Sequence, residues 1–193
     1  MTGSQTYVLS MASATERTDA QVVRDVLSGE RDAYRLLVRR YGGLLYDHAV
    51  RMVQNGDDAT DLVQRALVSG FQKLSTCRDP DRVGAWLFRI LANLAKDHVR
   101  SPRRRDLSLD GLPEIPERNG GPMEAAHRGE VRNRLQAALA QLTPEQREAF
   151  LLKHVEGRSY EEMAAVLDVS PASLKMRVHR AREALKELLE DFR

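Results

Sequence analysis

The residues best suited to chemistry lie near the end of the chain, on a predicted helix that begins at Pro171. At about 100° per residue, an apolar stripe runs through Leu174, Val178 and Leu185, and the other faces point outward. The outward set early in this helix is basic and polar: Ser173, Lys175, Met176, His179 and Arg180. Arg and Lys donate hydrogen bonds to guanine N7 and O6, and Met packs on a thymine methyl group. This pattern indicates contact with DNA base edges. Arg177 lies nearer the stripe, where a phosphate contact or an internal ion pair suits it better.

The elements before this helix carry clear start signals. Residues 143–146 combine a Thr cap, a Pro at the first helical position and a capping-box Gln, and residues 159–162 repeat the box with Ser and Glu. Ser170 and Pro171 open the last helix, which leaves a short turn at residues 168–170. Two capped helices joined by such a turn predict a helix-turn-helix. Two alternatives stay open: a solvated helix held by i,i+4 pairs, and a three-helix bundle that binds protein.

The rest of the chain must position these residues. The apolar pattern is helical from Asp19 to Arg100, and no stretch alternates as a β-strand does. Residues 101–123 hold four prolines and three glycines, which indicate a flexible linker. We therefore predict an all-α protein of two small helical domains that move independently. The boundaries are a tail at 1–17, a helical domain at 18–102, the linker at 103–123 and a helix-turn-helix domain at 124–193.

Composition excludes several classes of protein. The 193 residues carry 30 Lys and Arg against 28 Asp and Glu, but residues 30–105 alone carry a net charge of +6 and residues 106–125 one of −4. Cys77 has no second cysteine to pair with, and the five histidines are too scattered for a zinc site. The sequence shows no long apolar run, signal peptide, phosphate loop or cluster of catalytic groups. We expect a cytoplasmic protein that is not an enzyme and has no metal or cofactor.

Three segments, in order, resemble the extracytoplasmic-function sigma factors of bacterial RNA polymerase. DATDLVQ at 58–64 is similar to the family's region 2.2, and AWLFRILANLAKD at 85–97 to its regions 2.3 to 2.4. KHVEGRSYEEMA at 153–164, followed by LKMRVHRAR at 174–182, resembles region 4. The resemblance implies a transcription initiation factor with a region 2 domain, a linker and a region 4 domain.

The resemblance implies that one helix binds the largest subunit of core RNA polymerase through Asp58, Asp61, Leu62 and Gln64. A carboxylate beside an exposed leucine suits a helix-in-groove contact. The alternative is that Leu62 and Val63 are core residues and Asp61 is merely solvated. The chain departs from the family pattern at Arg65, where Glu is usual, and we expect this to alter the contact.

The resemblance also implies a site for the minus-10 promoter element, formed by Arg78, Arg82, Arg89, Asn93 and Lys96. Promoter opening needs an unstacked base held in a pocket while cations grip the strand, and the 75–83 loop is the candidate pocket. Trp86 could stack on a base, but its spacing with neighbouring apolar residues favours the core. Residues 103–105 would meet phosphates or merely form a solvated entry to the linker. The acidic residues 106–125 would thread the polymerase or merely solubilise the linker.

The partners predicted are core RNA polymerase and promoter DNA, with the free protein monomeric and not inserted in a membrane. Affinity for free promoter DNA should be weak, because recognition is divided between two mobile domains. Whether an anti-sigma factor binds is left open. The alternatives are a stand-alone helix-turn-helix regulator, which would bind DNA unaided, and a helical protein-interaction module, which would bind none.

Overall fold

The structure of the protein, a computed structural model, describes residues 17–101 and 122–190, without the side chains of residues 122–128 and 132. Within those ranges it is built of helices and contains no strand, which confirms the all-α prediction. The α-helices are α1 (Asp19–Leu27), α2 (Tyr34–Val53), α3 (Gly56–Gln72), α4 (Val83–Arg100), α5 (Pro122–Gln141), α6 (Pro144–Phe150), α7 (Tyr160–Leu167) and α8 (Pro171–Glu190). Short 3-10 turns lie at Arg31–Ala33, Leu74–Thr76 and Pro80–Arg82, and a π-helical turn continues α6 over Leu151–Val155.

Local capping explains where α1 and α3 of the first domain begin. Thr18 and Gln21 form a capping box at the start of α1. Gln54 ends α2 in the left-handed conformation, with φ of 56°. Asn55 then caps α3, since its side chain accepts a hydrogen bond from the backbone of Asp58 at 2.9 Å. The two caps let α2 and α3 reverse direction within two residues, and α4 packs on both.

The second domain begins with α5, which starts at Pro122, inside the range expected for the linker. Both predicted capping boxes are present, at Thr143 with Gln146 and at Ser159 with Glu162. α8 packs against α6, α7 and α5. Its buried side chains are those of the predicted stripe: Leu174, Val178, Ala181 and Leu185.

The two domains pack against each other rather than standing apart. α4 contacts both α6 and α7, and α2 contacts α6. Buried apolar residues of the two domains form one continuous core. The sequence predicted no such contact. The expected tail, the Arg run at 103–105 and most of the acidic segment at 106–125 lie outside the described residues.

Candidate nucleic-acid interface

The helix-turn-helix forms as its caps predicted. Ser159 and Glu162 close the start of α7, and Asp168 ends it with φ of 57° and ψ of 44°, in the left-handed region. Asp tolerates this conformation better than most residues other than Gly, so the turn survives without a glycine. The Ser170 hydroxyl then accepts a hydrogen bond from the backbone of Ser173 at 3.3 Å, which caps α8. The turn therefore fixes the angle at which α8 leaves α7.

The outward face of α8 carries the predicted base-reading side chains. Lys175, Met176, His179 and Arg180 are exposed, and the Met176 side chain is 51% accessible. The ammonium of Lys175 lies 5.7 Å from the ring centroid of Tyr160 in α7, close enough for a cation–π contact. The structure thus gathers four of the six predicted residues on one accessible surface.

The other two residues predicted on this helix are less accessible. Ser173 is half-buried, and its backbone serves the cap of α8. Arg177 is also half-buried, and its charge partly offsets the effect of burial, which raises the pKa of the nearby Glu148 carboxyl. This agrees with its expected place beside the packed edge, and an internal electrostatic role fits its position.

The residues predicted to take the minus-10 element lie along α4 and the turn before it. Arg78, Arg82 and Asn93 are exposed, and Arg82 pairs with Asp79 at 3.5 Å. Arg89 and Lys96 instead point towards the second domain. The Arg89 guanidinium lies 3.5 Å from Asp168, and the Lys96 ammonium lies 3.2 Å from Glu148.

A cavity of about 330 Å³ adjoins the turn at residues 80–82. Its lining includes Asp81, Arg82 and Phe88 from the first domain and Arg158 from the second. The loop at 75–83, predicted to form a base pocket, therefore borders this cavity with its carboxyl-terminal end. Trp86 is half-buried and packs against the core, as its spacing favoured.

Cys77 lies in the same loop, and its thiol donates to the carbonyl of Asp79 at 3.4 Å. Burial raises the pKa of the Cys77 thiol, which disfavours the thiolate.

The predicted polymerase-binding helix, α3, divides its four residues between surface and interior. Asp61 and Gln64 are exposed and share a shallow groove with Val68 and Leu94. Leu62 is fully buried, so the expectation of an exposed leucine there is wrong. The reason is helical period, because Leu62 falls on the same face as the buried Ala59 and Ala66.

Asp58 and Arg65 have partners within the chain. The Asp58 carboxylate lies 3.2 Å from His98 of α4, at the contact between the two helices. Burial, followed by the charge of Arg65, lowers the pKa of His98. Arg65 pairs with Asp61 at 3.5 Å, one turn away. Arg65, which departs from the family pattern, therefore partly neutralises the negative charge of Asp61, a predicted contact residue.

Three buried polar residues at the domain contact were missed by sequence analysis. Arg147 and Glu148 lie on α6 and His48 lies on α2, and all are at least 95% buried. Burial lowers the pKa of Arg147 to about 10 and raises the pKa of Glu148. Nδ1 of His48 lies 2.6 Å from the carboxylate of Glu156. Burial opposes ionisation of Glu156, but the bond and charge of His48, together with the charges of Arg158 and Arg51, outweigh it, and the pKa of Glu156 falls.

Each of the two domains matches the model of a known protein family. A model of sigma-70 region 2 matches residues 37–105, and a model of sigma-70 region 4 matches residues 132–185. The two modules, in this order, define a sigma-70-type protein. None of the helices in the described ranges is long and apolar enough to cross a membrane.

Individual relatives narrow the class. The chain is similar to the RNA polymerase sigma-H factor of Pseudomonas aeruginosa, with 31% identity over 91% of this chain and 96% of that protein. It is 30% identical to the ECF RNA polymerase sigma-E factor of Escherichia coli K12, over 87% of this chain and 92% of that protein. A solved structure of the sigma factor RpoE from Bartonella quintana, in complex with the anti-sigma factor NepR, aligns with a TM-score of 0.60 and 28% identity, covering 83% of this chain and 98% of that one. The chain therefore belongs to the ECF group of RNA polymerase sigma factors.

Proposed function

We propose that the chain binds bacterial core RNA polymerase, recognises minus-35 and minus-10 promoter elements, and promotes DNA melting at initiation. The observation that carries the proposal is the exposed basic face of α8 on a fully formed helix-turn-helix. In such a motif the second helix lies in the major groove, and its early residues meet base edges. The polymerase would supply the catalysis, and the chain would supply promoter specificity.

The exposed part of α3 is the proposed contact with the polymerase. Asp61 and Gln64 present a carboxylate and an amide beside the exposed side chain of Val68, a combination that suits a helix-in-groove contact with a basic partner. Leu62 packs in the core beneath this surface and is not part of it. The role of Asp58 in polymerase binding stays a prediction, because its carboxylate contacts His98.

We propose promoter DNA as the second partner and an anti-sigma factor as a candidate third. The free chain is proposed to be a monomer. Support for the third partner is that the similar Bartonella quintana sigma factor was solved with an anti-sigma factor.

The experiment that tests the proposal is co-elution of the purified chain with bacterial core RNA polymerase. An Asp61→Ala/Gln64→Ala variant should lose co-elution, while Asp47→Ala/Gln141→Ala, which removes the same side-chain types from other exposed positions, should keep it. Leu62 is left intact because truncating a buried leucine costs about 2–5 kcal/mol and would confuse binding with unfolding.

Retention of binding in the first variant would move the contact away from α3. No co-elution of the parent chain would overturn the proposal and favour a stand-alone helix-turn-helix regulator.

A further inference from the structure

Tyr160, the first residue of α7, lies close to two lysines of the second domain. Its ring centroid is 4.8 Å from the ammonium of Lys153 and 5.7 Å from the ammonium of Lys175. Both distances fall within the ~6 Å over which a cation is attracted to the face of an aromatic ring. Lys153 lies in the π-helical turn after α6, and Lys175 lies in α8. One ring therefore connects three elements at the surface of the helix-turn-helix.

Lys153 is held in place by the backbone around it. The residue is half-buried, and its ammonium donates to the carbonyl of Arg158 at 3.2 Å. Gly157 comes just before Arg158 and has φ of 69°, a left-handed conformation that glycine adopts without strain. The chain turns back here, since the Arg158 N–H also donates to the carbonyl of Leu152 at 2.9 Å. The ammonium of Lys153 is therefore a fixed positive charge beside the Tyr160 ring.

The Tyr160 ring has little freedom of its own. Tyr160 is half-buried and packs against the hydrophobic core. Its backbone is set by the capping box of Ser159 and Glu162, which closes the start of α7. A tyrosine side chain has only two rotatable angles that move its ring, so packing on one side leaves few orientations. The ring is therefore a rigid platform at the start of α7.

Lys175, by contrast, is exposed on α8 and has a flexible side chain. Its four-carbon stem has many rotamers in water. Fixing that stem on a base edge costs conformational entropy, and a partner that orders the stem before DNA arrives lowers this cost. An aromatic ring does so without cancelling the positive charge, whereas a carboxylate would partly neutralise it. The Tyr160 ring is therefore a suitable partner for a lysine that must still meet DNA.

We infer that Tyr160 is a positioning residue for base reading: its ring, held by Lys153, orders the ammonium of Lys175 for contact with a base edge. The inference rests on the proposed function, in which α8 lies in the major groove. Tyr160 then acts through Lys175 alone, on the base pair that Lys175 reads. The energy of an exposed cation–π contact corresponds to about a two- to fivefold change in affinity, and this is the size of the effect expected there.

The first step of the test finds the base pair that Lys175 reads. The full chain is assembled with core RNA polymerase and selects duplexes from a DNA library that contains a random segment. The selected duplex is then remade with each other base pair at each position, and fluorescence anisotropy measures the affinities. Lys175→Met, which keeps the length of the side chain and removes its charge, should relax the preference at one position. If it relaxes none, the inference is overturned, because the ring then has no base reader to position.

A double-mutant cycle then measures whether the ring acts through Lys175. Tyr160→Leu should reduce discrimination at the same position about two- to fivefold in the parent chain and have no measurable effect in the Lys175→Met background. Tyr160→Phe keeps the ring and should match the parent chain. Equal losses from Tyr160→Leu in the two backgrounds would overturn the inference. So would a loss from Tyr160→Phe as large as that from Tyr160→Leu, because it would assign the effect to the hydroxyl group and a direct phosphate contact.

Two further variants separate positioning from general stability. Tyr46→Leu removes a half-buried tyrosine of the first domain that also packs on the core, and it should leave the base preferences unchanged. If it relaxes the same position as Tyr160→Leu, the effect reflects lost stability and the inference is wrong. Lys153→Met keeps the ring but removes the fixed charge beside it, and it should give a smaller loss at that position. A loss spread evenly over all positions would contradict the role of Lys153, because it would indicate a phosphate contact.

The selection step also separates this inference from the proposed function. If the parent chain with polymerase enriches a sequence but Tyr160 and Lys175 show no coupling, the proposed function stands and the inference is wrong. If the parent chain with polymerase enriches no sequence beyond that of polymerase alone, the proposed function itself fails, and the inference that rests on it fails with it.

Discussion

At the scale of single residues, Arg147 has the most direct bearing on how the domains are joined. Its guanidinium donates to the carbonyls of Leu139 at 2.8 Å, Ala140 at 2.7 Å and Met52 at 2.6 Å. Leu139 and Ala140 lie in the last turn of α5, and Met52 lies in the last turn of α2. The carbonyls at a helix end lack intrahelical partners and carry partial negative charge. One buried cation therefore satisfies the ends of two helices in different domains.

Arg147→Met should lower the free energy of unfolding by about 2–4 kcal/mol, because it leaves buried carbonyls without donors. Urea denaturation followed by circular dichroism measures the change. Arg35→Met is the control, since Arg35 lies in an exposed pair and its loss should cost less than about 0.5 kcal/mol. Equal losses in the two variants would show that the three buried bonds contribute little.

Arg180→Ala should cost about 1–3 kcal/mol of promoter discrimination and relax the preference at one base position. The reason is that Arg180 is exposed on the outward face of α8 and is free to reach a base edge. Transcription by reconstituted polymerase from a panel of single-base promoter variants measures the preference. Lys186→Ala, on a later turn of α8, should leave base preference unchanged. An unaltered profile for Arg180→Ala would remove this residue from the base-reading set.

At the scale of elements, two glycines set how closely the helices of the first domain approach. A Cβ atom at Gly70 of α3 would lie 2.3 Å from a methyl group of Leu87 and 2.8 Å from the hydroxyl of Tyr34. A Cβ at Gly84 of α4 would lie 2.3 Å from the ring of Tyr41. These contacts are far below van der Waals distance. Small residues at these positions therefore allow the close packing of α2, α3 and α4.

Gly70→Ala should destabilise the protein by about 1–3 kcal/mol through overpacking, although Ala favours a helix over Gly. Gly43→Ala is the matched control, because position 43 lies in α2 and an added methyl there would meet nothing within 4 Å beyond its chain neighbours and its own helix backbone. That substitution should stabilise by about 0.5–1 kcal/mol. Thermal denaturation of both variants shows whether their effects have opposite signs. If both stabilise, the helices have room to separate at Gly70.

Sequence analysis was most accurate for the individual helices and their ends. Caps and turns depend on neighbours within four residues, so Thr143, Ser159 and Ser170 predicted helix starts that the structure reproduces. The stripe through Leu174 was correct for the same reason. Leu135 shares a helix face with the buried Ala138 and Leu139 but is itself 39% exposed, because burial depends on what packs there and not on the helix alone.

At the scale of the whole molecule, Glu148 couples domain contact to pH. Burial raises the pKa of Glu148, and the charges of Lys96, His48 and Arg177 only partly offset this effect. The native chain therefore holds the proton at a higher pH than the unfolded chain. The stability that Glu148 contributes is present in full below its unfolded pKa and is lost as pH rises through its native pKa. Glu156 acts in the opposite sense, because its pKa is lowered.

A Glu148→Gln variant isolates the first of these effects, because glutamine stays neutral at every pH. Its free energy of unfolding, relative to the parent chain, should increase as pH rises above the usual pKa of glutamate. Urea denaturation at several pH values measures this difference. For Glu187→Gln, on the exposed face of α8, the difference in free energy of unfolding should not change with pH. If the free energy of unfolding of Glu148→Gln, relative to the parent chain, instead decreased as pH rises, Lys96 would be holding Glu148 charged in the native chain.

The sequence by itself determined the helical class, the two modules, the helix-turn-helix and the family, because each depends on local periodicity, capping or a linear motif. The tertiary structure decided which faces are free. It buried Leu62, bound Asp58 to His98, and turned Arg89 and Lys96 towards carboxylates of the second domain. Those contacts join residues 40 to 79 positions apart, and the sequence between them carries no periodic signal of the pairing. Charge pattern shows which residues can meet DNA, whereas only packing across the domains shows which of them are already occupied.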